Sequence, residues 1–99
     1  MEMHFEWDDV KAAANFRKHG ISFGDAILVF DDALAISVQD RIENGEYRWQ
    51  TIGMAGACLL LVVAHTLRDA DSGAQIVRII SARRAKPRER RHYERDGKI

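Results

Sequence analysis

Arg48, Arg68, Arg78 and Arg83 fall in or beside segments that otherwise read as β-strand, and His65 lies among them. A planar guanidinium stays charged at any relevant pH and can grip two phosphate oxygens at once. An imidazole with an ordinary pKa of ~6.5 can transfer a proton near neutrality. Such a set could hold phosphate groups and stabilise charge developing on them. Each residue also has a plainer reading. Arg78 interrupts an apolar strand, on the face that period-two alternation gives to Ile76 and Ile80, and could be a structural ion pair with an acidic residue of the helical half. Glu46 shares a strand face with Arg48 and could neutralise it, Arg83 could be solvated, and His65 could be a satisfied, half-buried histidine.

A second group suits binding rather than chemistry. Arg84, Lys86, Arg88, Arg90, Arg91 and Arg95 form the densest basic stretch, which could track a phosphate backbone without reading sequence. Lys11, Asn15 and Lys18 share one helical face by i, i+4 and i+7 spacing, as a solvated stripe or a contact with nucleic acid or protein. The net charge is zero, yet residues 1–50 hold five Lys and Arg against ten Asp and Glu, while residues 51–99 hold ten against five. That dipole lets the C-terminal end meet a polyanion.

The elements that must position these groups follow from pattern. His4–Trp7 alternates as a first strand, and Asp8 caps a helix over Asp9–His19 that Gly20 stops. Ser22 caps a second helix over Phe23–Phe30, with Phe23, Ile27 and Phe30 on one face. Ala35–Val38 reads as a strand, and Asn44-Gly45 is a strong hairpin signal before Tyr47–Ile52. The apolar run Cys58–Thr66 predicts a central strand buried on both faces, Gln75–Ala82 a further strand, and Pro87 the start of a closing helix over Arg88–Arg95.

The chain has one cysteine, Cys58, so no disulfide framework or multi-cysteine zinc site can be drawn, and a cytoplasmic setting is expected. Its four histidines lack metal-ligand spacing, so neither a metal nor a cofactor is expected. The longest apolar run, Ala57–Ala64, is far short of the ~20 residues of a membrane helix. A length of 99 residues predicts one domain over 1–99.

Four segments resemble the BrnT family: Phe5-Glu6-Trp7-Asp8; Lys11 and Asn15 with Lys18-His19-Gly20; Gly45-Glu46 with Arg48; and Arg78-Ile79-Ile80-Ser81-Ala82-Arg83 with Glu89 and Tyr93. The resemblance implies an α+β, RelE-like fold in which two N-terminal helices pack on a twisted antiparallel sheet of about four to five strands, with a C-terminal helix. It implies a toxin of a type II toxin-antitoxin system that cleaves RNA without metal, inhibits translation, and is neutralised by a BrnA-type ribbon-helix-helix antitoxin through which alone it meets operator DNA. Members of the family often carry an aromatic residue where this chain has His65. Metal-free cleavage by the ribose 2′-hydroxyl needs a proton acceptor, a proton donor and cations, and only the cations are abundant here. From the residues alone, a binding module that uses the same arginines without chemistry stays open.

Overall fold

The structure, a computed structural model, describes residues 2–96. Met1 and residues 97–99, part of the single-domain reading, lie outside the described residues. In chain order the elements are β1 (Met3–Glu6), α1 (Asp9–His19), α2 (Phe23–Ala26), a 3-10 turn (Ile27–Asp31), β2 (Ile36–Glu43), β3 (Glu46–Ala55), β4 (Leu59–Asp69), β5 (Gln75–Arg84) and α3 (Pro87–Asp96). None of the described helices is long and apolar enough to cross a membrane.

α1 begins where extended Asp8 accepts hydrogen bonds from the amides of Val10 and Lys11 at 2.8 and 3.1 Å. It ends at Gly20, whose φ of 72° lies in the left-handed region and whose amide bonds the Phe16 carbonyl. Ser22 caps α2 through the Asp25 amide at 3.0 Å. The α-helix expected to reach Phe30 stops at Ala26 and tightens into the 3-10 turn. That turn is pressed onto the sheet at Gly53, where an added Cβ would lie 3.1 Å from the Cβ atoms of Val29 and Ala35 and from the Val29 carbonyl oxygen. A side chain at this position of β3 would force Val29 or Ala35 to give way by a few tenths of an ångström.

The five strands form one sheet in the order β1-β5-β4-β3-β2, with β4 in the middle as its apolar run predicts. The sheet is mixed rather than antiparallel, because β1 runs parallel to β5. α1, α2 and the turn all separate β1 from β2, so β1 reaches the far edge by a crossover instead of a hairpin. β2 is longer than the predicted Ala35–Val38. The Asn44-Gly45 turn, with φ of 53° and 77°, zips it against β3 as far as Glu43↔Glu46.

Alternation along β4 divides the sheet into two faces. Leu61 and Val63 join Val77, Ile79 and Ala82 of β5 in the main core, under Ile21, Phe23, Ala26 and Val29. Leu60 and Val62 point the other way and, with Ile52, meet Met54, Ala85 and Tyr93. Pairing between β4 and β5 shifts at Ala64/His65: Ile79 faces His65 and Ser81 faces Ala64, leaving Ile80 as the extra residue. The face expected to join Ile76, Arg78 and Ile80 is therefore broken after Arg78.

Asn15 was placed above on a polar helical stripe with Lys11 and Lys18; it is instead buried, at 7% exposure, while the two lysines are exposed. Its amide nitrogen donates to the carbonyls of Ile21 and Ala82 at 3.0 and 2.9 Å, and its oxygen accepts from the Ala82 amide at 3.1 Å. One side chain thus ties α1, the following loop and β5 together. Replacing Asn15 by Ala strands three buried backbone groups, so we expect a loss of about 2 to 4 kcal/mol in urea unfolding. Val10→Ala, at a position 77% exposed, should stay within about 0.5 kcal/mol of the parent.

His65 is also buried, at 1% exposure, and packs edge-on against Phe30 with ring centroids 5.0 Å apart. Its Nε2 lies 2.7 Å from Thr51 Oγ1, which in turn lies 2.7 Å from Ser37 Oγ. Burial pushes its pKa below the ordinary 6.5, only partly opposed by the Thr66 carbonyl. The unfolded chain then binds a proton that the folded chain refuses, so stability is full above pH ~6.5 and falls as the pH drops below it. The carboxyls of Glu6, Asp32 and Glu89 are also held below their ordinary values of 4.5, 3.8 and 4.5, but those losses begin only at lower pH. His65→Gln should therefore flatten the fall in denaturation free energy between pH ~7 and ~5.5 while leaving the steeper loss below pH ~4.5 in place.

Candidate active site

Opposite the helical core, on the half of the sheet that α3 leaves open, the register sets Arg48 of β3, Thr66 of β4, Arg78 of β5 and Glu6 of β1 in one transverse row. Arg68, two residues beyond Thr66, belongs to the same face. Three predicted cations, Arg48, Arg68 and Arg78, therefore converge. His65 does not: it lies on the helical side, beneath Phe30, in the interior of β4 and not at its end.

Each arginine has an acidic neighbour. Arg68 reaches Glu6 with both terminal nitrogens, at 2.9 and 3.3 Å, and these bonds hold the Glu6 carboxyl below its ordinary range. Arg78 crosses β4 to bond Glu46 Oε1 on β3 at 2.6 Å. The small Thr66 side chain leaves room for that span. The ion pair foreseen with the helical half is thus made with the hairpin instead. Arg48 lies 3.8 Å from Glu43, not paired with Glu46 as its strand face suggested. Its side chain is only 17% exposed, and its Nε is buried with no hydrogen-bond partner among the described residues. A guanidinium in that state is short of acceptors.

Arg83 stands apart. It forms a two-pronged pair with Glu89 of α3, both contacts at 2.8 Å, and Glu89 also accepts from the Lys86 amide at 2.8 Å. The Arg83 bonds hold Glu89 below the ordinary carboxylate range. At the other end of α3, Tyr93 donates to Asp32 at 2.6 Å, and Asp32 also accepts from the amides of Met54 and Leu34. Burial, and then the Asp32 carboxylate, push Tyr93 up to about 12. These two anchors seat α3 over Ile52, Leu60 and Val62. Asp32 carried no signal beyond a helix end, and Glu6 and Glu46 read only as members of quoted motifs.

The outer side of α3 carries a further group of cations. Arg88, Arg91, His92 and Arg95 line a groove of about 440 Å³. His92 is paired with Asp96 at 2.7 Å, whereas Arg88, Arg90, Arg91, Lys86 and Arg84 form no ion pair among the described residues. Because the helix begins at Pro87, Arg84 ends β5 and does not extend this row. Among the described residues no three His, Cys, Asp or Glu converge as metal ligands.

The chain was compared with known proteins on this geometry and sequence. No curated protein sequence matches it significantly. A family model described as the ribonuclease toxin BrnT of type II toxin-antitoxin systems matches residues 7–89. The crystal structure of the Brucella abortus ribonuclease toxin BrnT, at 1.1 Å resolution, superposes with a TM-score of 0.63 at 26% identity, covering 87% of this chain and 99% of that one. The matched span runs from Trp7 to Glu89 and so takes in α1, the arginine-bearing strands and the start of α3. The chain belongs to the BrnT family of ribonuclease toxins of type II toxin-antitoxin systems.

Proposed function

We propose that this toxin is a metal-independent endoribonuclease whose active face is the open half of the sheet, with Arg48 and Arg78 as the principal phosphate ligands and Arg68 beside them. The observation that carries the reading is the row Arg48–Thr66–Arg78, two guanidinium groups flanking a small, buried side chain on the half of the sheet that α3 leaves open. The terminal nitrogens of Arg48 donate no hydrogen bond among the described residues and Arg78 is held across the sheet, so an arriving phosphodiester finds cations already in place. Arg83 supports the site by seating α3, and buried His65 stabilises the fold rather than moving a proton.

Lys86, Arg88, Arg90 and Arg91, with Arg84 at the end of β5, then hold the RNA backbone beside the face, whereas Lys11 and Lys18, on α1 across the sheet, suit a separate contact with RNA or with the antitoxin. We read the architecture as RelE-like and the setting as cytoplasmic, where cutting RNA inhibits translation. A BrnA-type ribbon-helix-helix antitoxin would silence the toxin by covering the arginine row, and would bring the complex to operator DNA.

Single-turnover cleavage of labelled RNA at saturating protein tests the reading. Cleavage should persist in EDTA, and Arg48→Ala and Arg78→Ala should each slow it about a hundred- to a thousandfold, the effect of losing one group that stabilises developing charge. Parental rates in both folded variants would overturn the assignment, and a parent that binds RNA without cutting it would return the protein to the class of binding modules.

On α3 the expected outcome differs. Arg88→Ala and Arg91→Ala should weaken RNA binding and lower the slope of log affinity against log salt by about 0.7 each, with the rate of bound RNA nearly unchanged. Filter binding over a salt series provides the measurement.

A further inference from the structure

The open face offers carboxylates as well as cations, and they are not equivalent. Both oxygens of Glu6 are taken by Arg68. Both oxygens of Glu89 are taken by Arg83, and one also by the Lys86 amide. Glu43 Oε2 accepts from Arg41 and has Arg48 3.8 Å away. What sets Glu46 apart is its partner: Oε1 accepts from Arg78, a member of the arginine row, while Oε2, like Glu43 Oε1, accepts no hydrogen bond among the described residues. Its position is unusual too. Glu46 faces Glu43 directly across the β2–β3 pair, a like-charge juxtaposition that ordinarily destabilises a sheet.

From this geometry we propose that Glu46 is the general base of RNA cleavage, its free oxygen taking the proton of the attacking ribose 2′-hydroxyl. The inference rests on the reading of the open face as the cleavage site. Arg78 fixes one oxygen and so aims the other, and Arg48, two residues along the same strand face, holds the phosphate within reach of the same nucleotide. In the step, the 2′-oxygen bonds to phosphorus as its proton passes to Glu46. The bond from phosphorus to the 5′-oxygen breaks, and that oxygen leaves with a proton from water. The products are a 2′,3′-cyclic phosphate and a 5′-hydroxyl end. Arg48 and Arg78 meet the negative charge on the equatorial oxygens.

The test is the pH dependence of single-turnover cleavage by the full-length protein, parent against Glu46→Gln, over the range where melting shows both folded. Removing a general base costs about a hundred- to ten-thousandfold. Glu46→Gln should fall by that much, lose the acid limb of the parental pH–rate profile, and bind RNA at least as tightly, since a negative charge has gone. Added formate should restore part of its rate, and Glu46→Asp should keep the acid limb at a reduced rate. If Glu46 merely holds Arg78, the variant keeps the parental limb and formate does nothing, which overturns the proposal. A parent that does not cut RNA fails the reading of the face itself, whereas a cutting parent matched by Glu46→Gln fails this inference alone.

Discussion

The alternation of side chains along β4 is the constraint from which the rest of the molecule follows. Leu61 and Val63 must bury on one side of the sheet and Leu60 and Val62 on the other, because successive strand residues point to opposite faces. The helical layer covers one side along the strand, down to His65 under Phe30. On the other side α3 covers only the Leu60–Val62 end. From Ala64 onward that side carries Ala64, Thr66 and Arg68: the threonine is buried, at 3% exposure, and Arg68 is exposed. A single strand thereby builds two cores at one end and a charged platform at the other.

The platform is held by electrostatics rather than packing. Exposed ion pairs contribute little to stability because water screens them and long side chains lose entropy in forming them. Arg68–Glu6 and Arg78–Glu46 are therefore better understood as fixing geometry across β1, β5, β4 and β3 than as holding the sheet shut. The pairs offset the charge of the platform, whereas Arg88, Arg90 and Arg91 of α3 form no ion pair among the described residues.

Much of this was legible in the residues because local rules govern it. Asp8 and Gly20 bound α1, Asn44-Gly45 makes the hairpin, and the apolar run at Leu59–Val63 marks the central strand. What escaped depends on contacts distant in sequence. The parallel pairing of β1 with β5 has no local signature, nor does the burial of Asn15, whose helical neighbours are exposed lysines. The ion-pair partners were misassigned for the same reason. Arg78 meets an acid 32 residues away across another strand, and period-two reasoning cannot see past one strand. The extra residue Ile80 defeats that reasoning outright, since one bulge reverses the face of everything beyond it.

The crossover of β1 to β5 has a consequence for when the arginine row can assemble during synthesis. Glu6 meets Arg68 from 62 positions away, and Asn15 meets Ala82 from 67. Contacts of that separation form only after the long loop between them is closed, and they cannot form on a nascent chain whose later partner is still inside the ribosome. Until residues as far as β5 have emerged, β4 lacks a neighbour on one side and Arg78 is absent from the row. A half-made copy thus has no assembled row of arginines, and the row forms only once β5 has emerged.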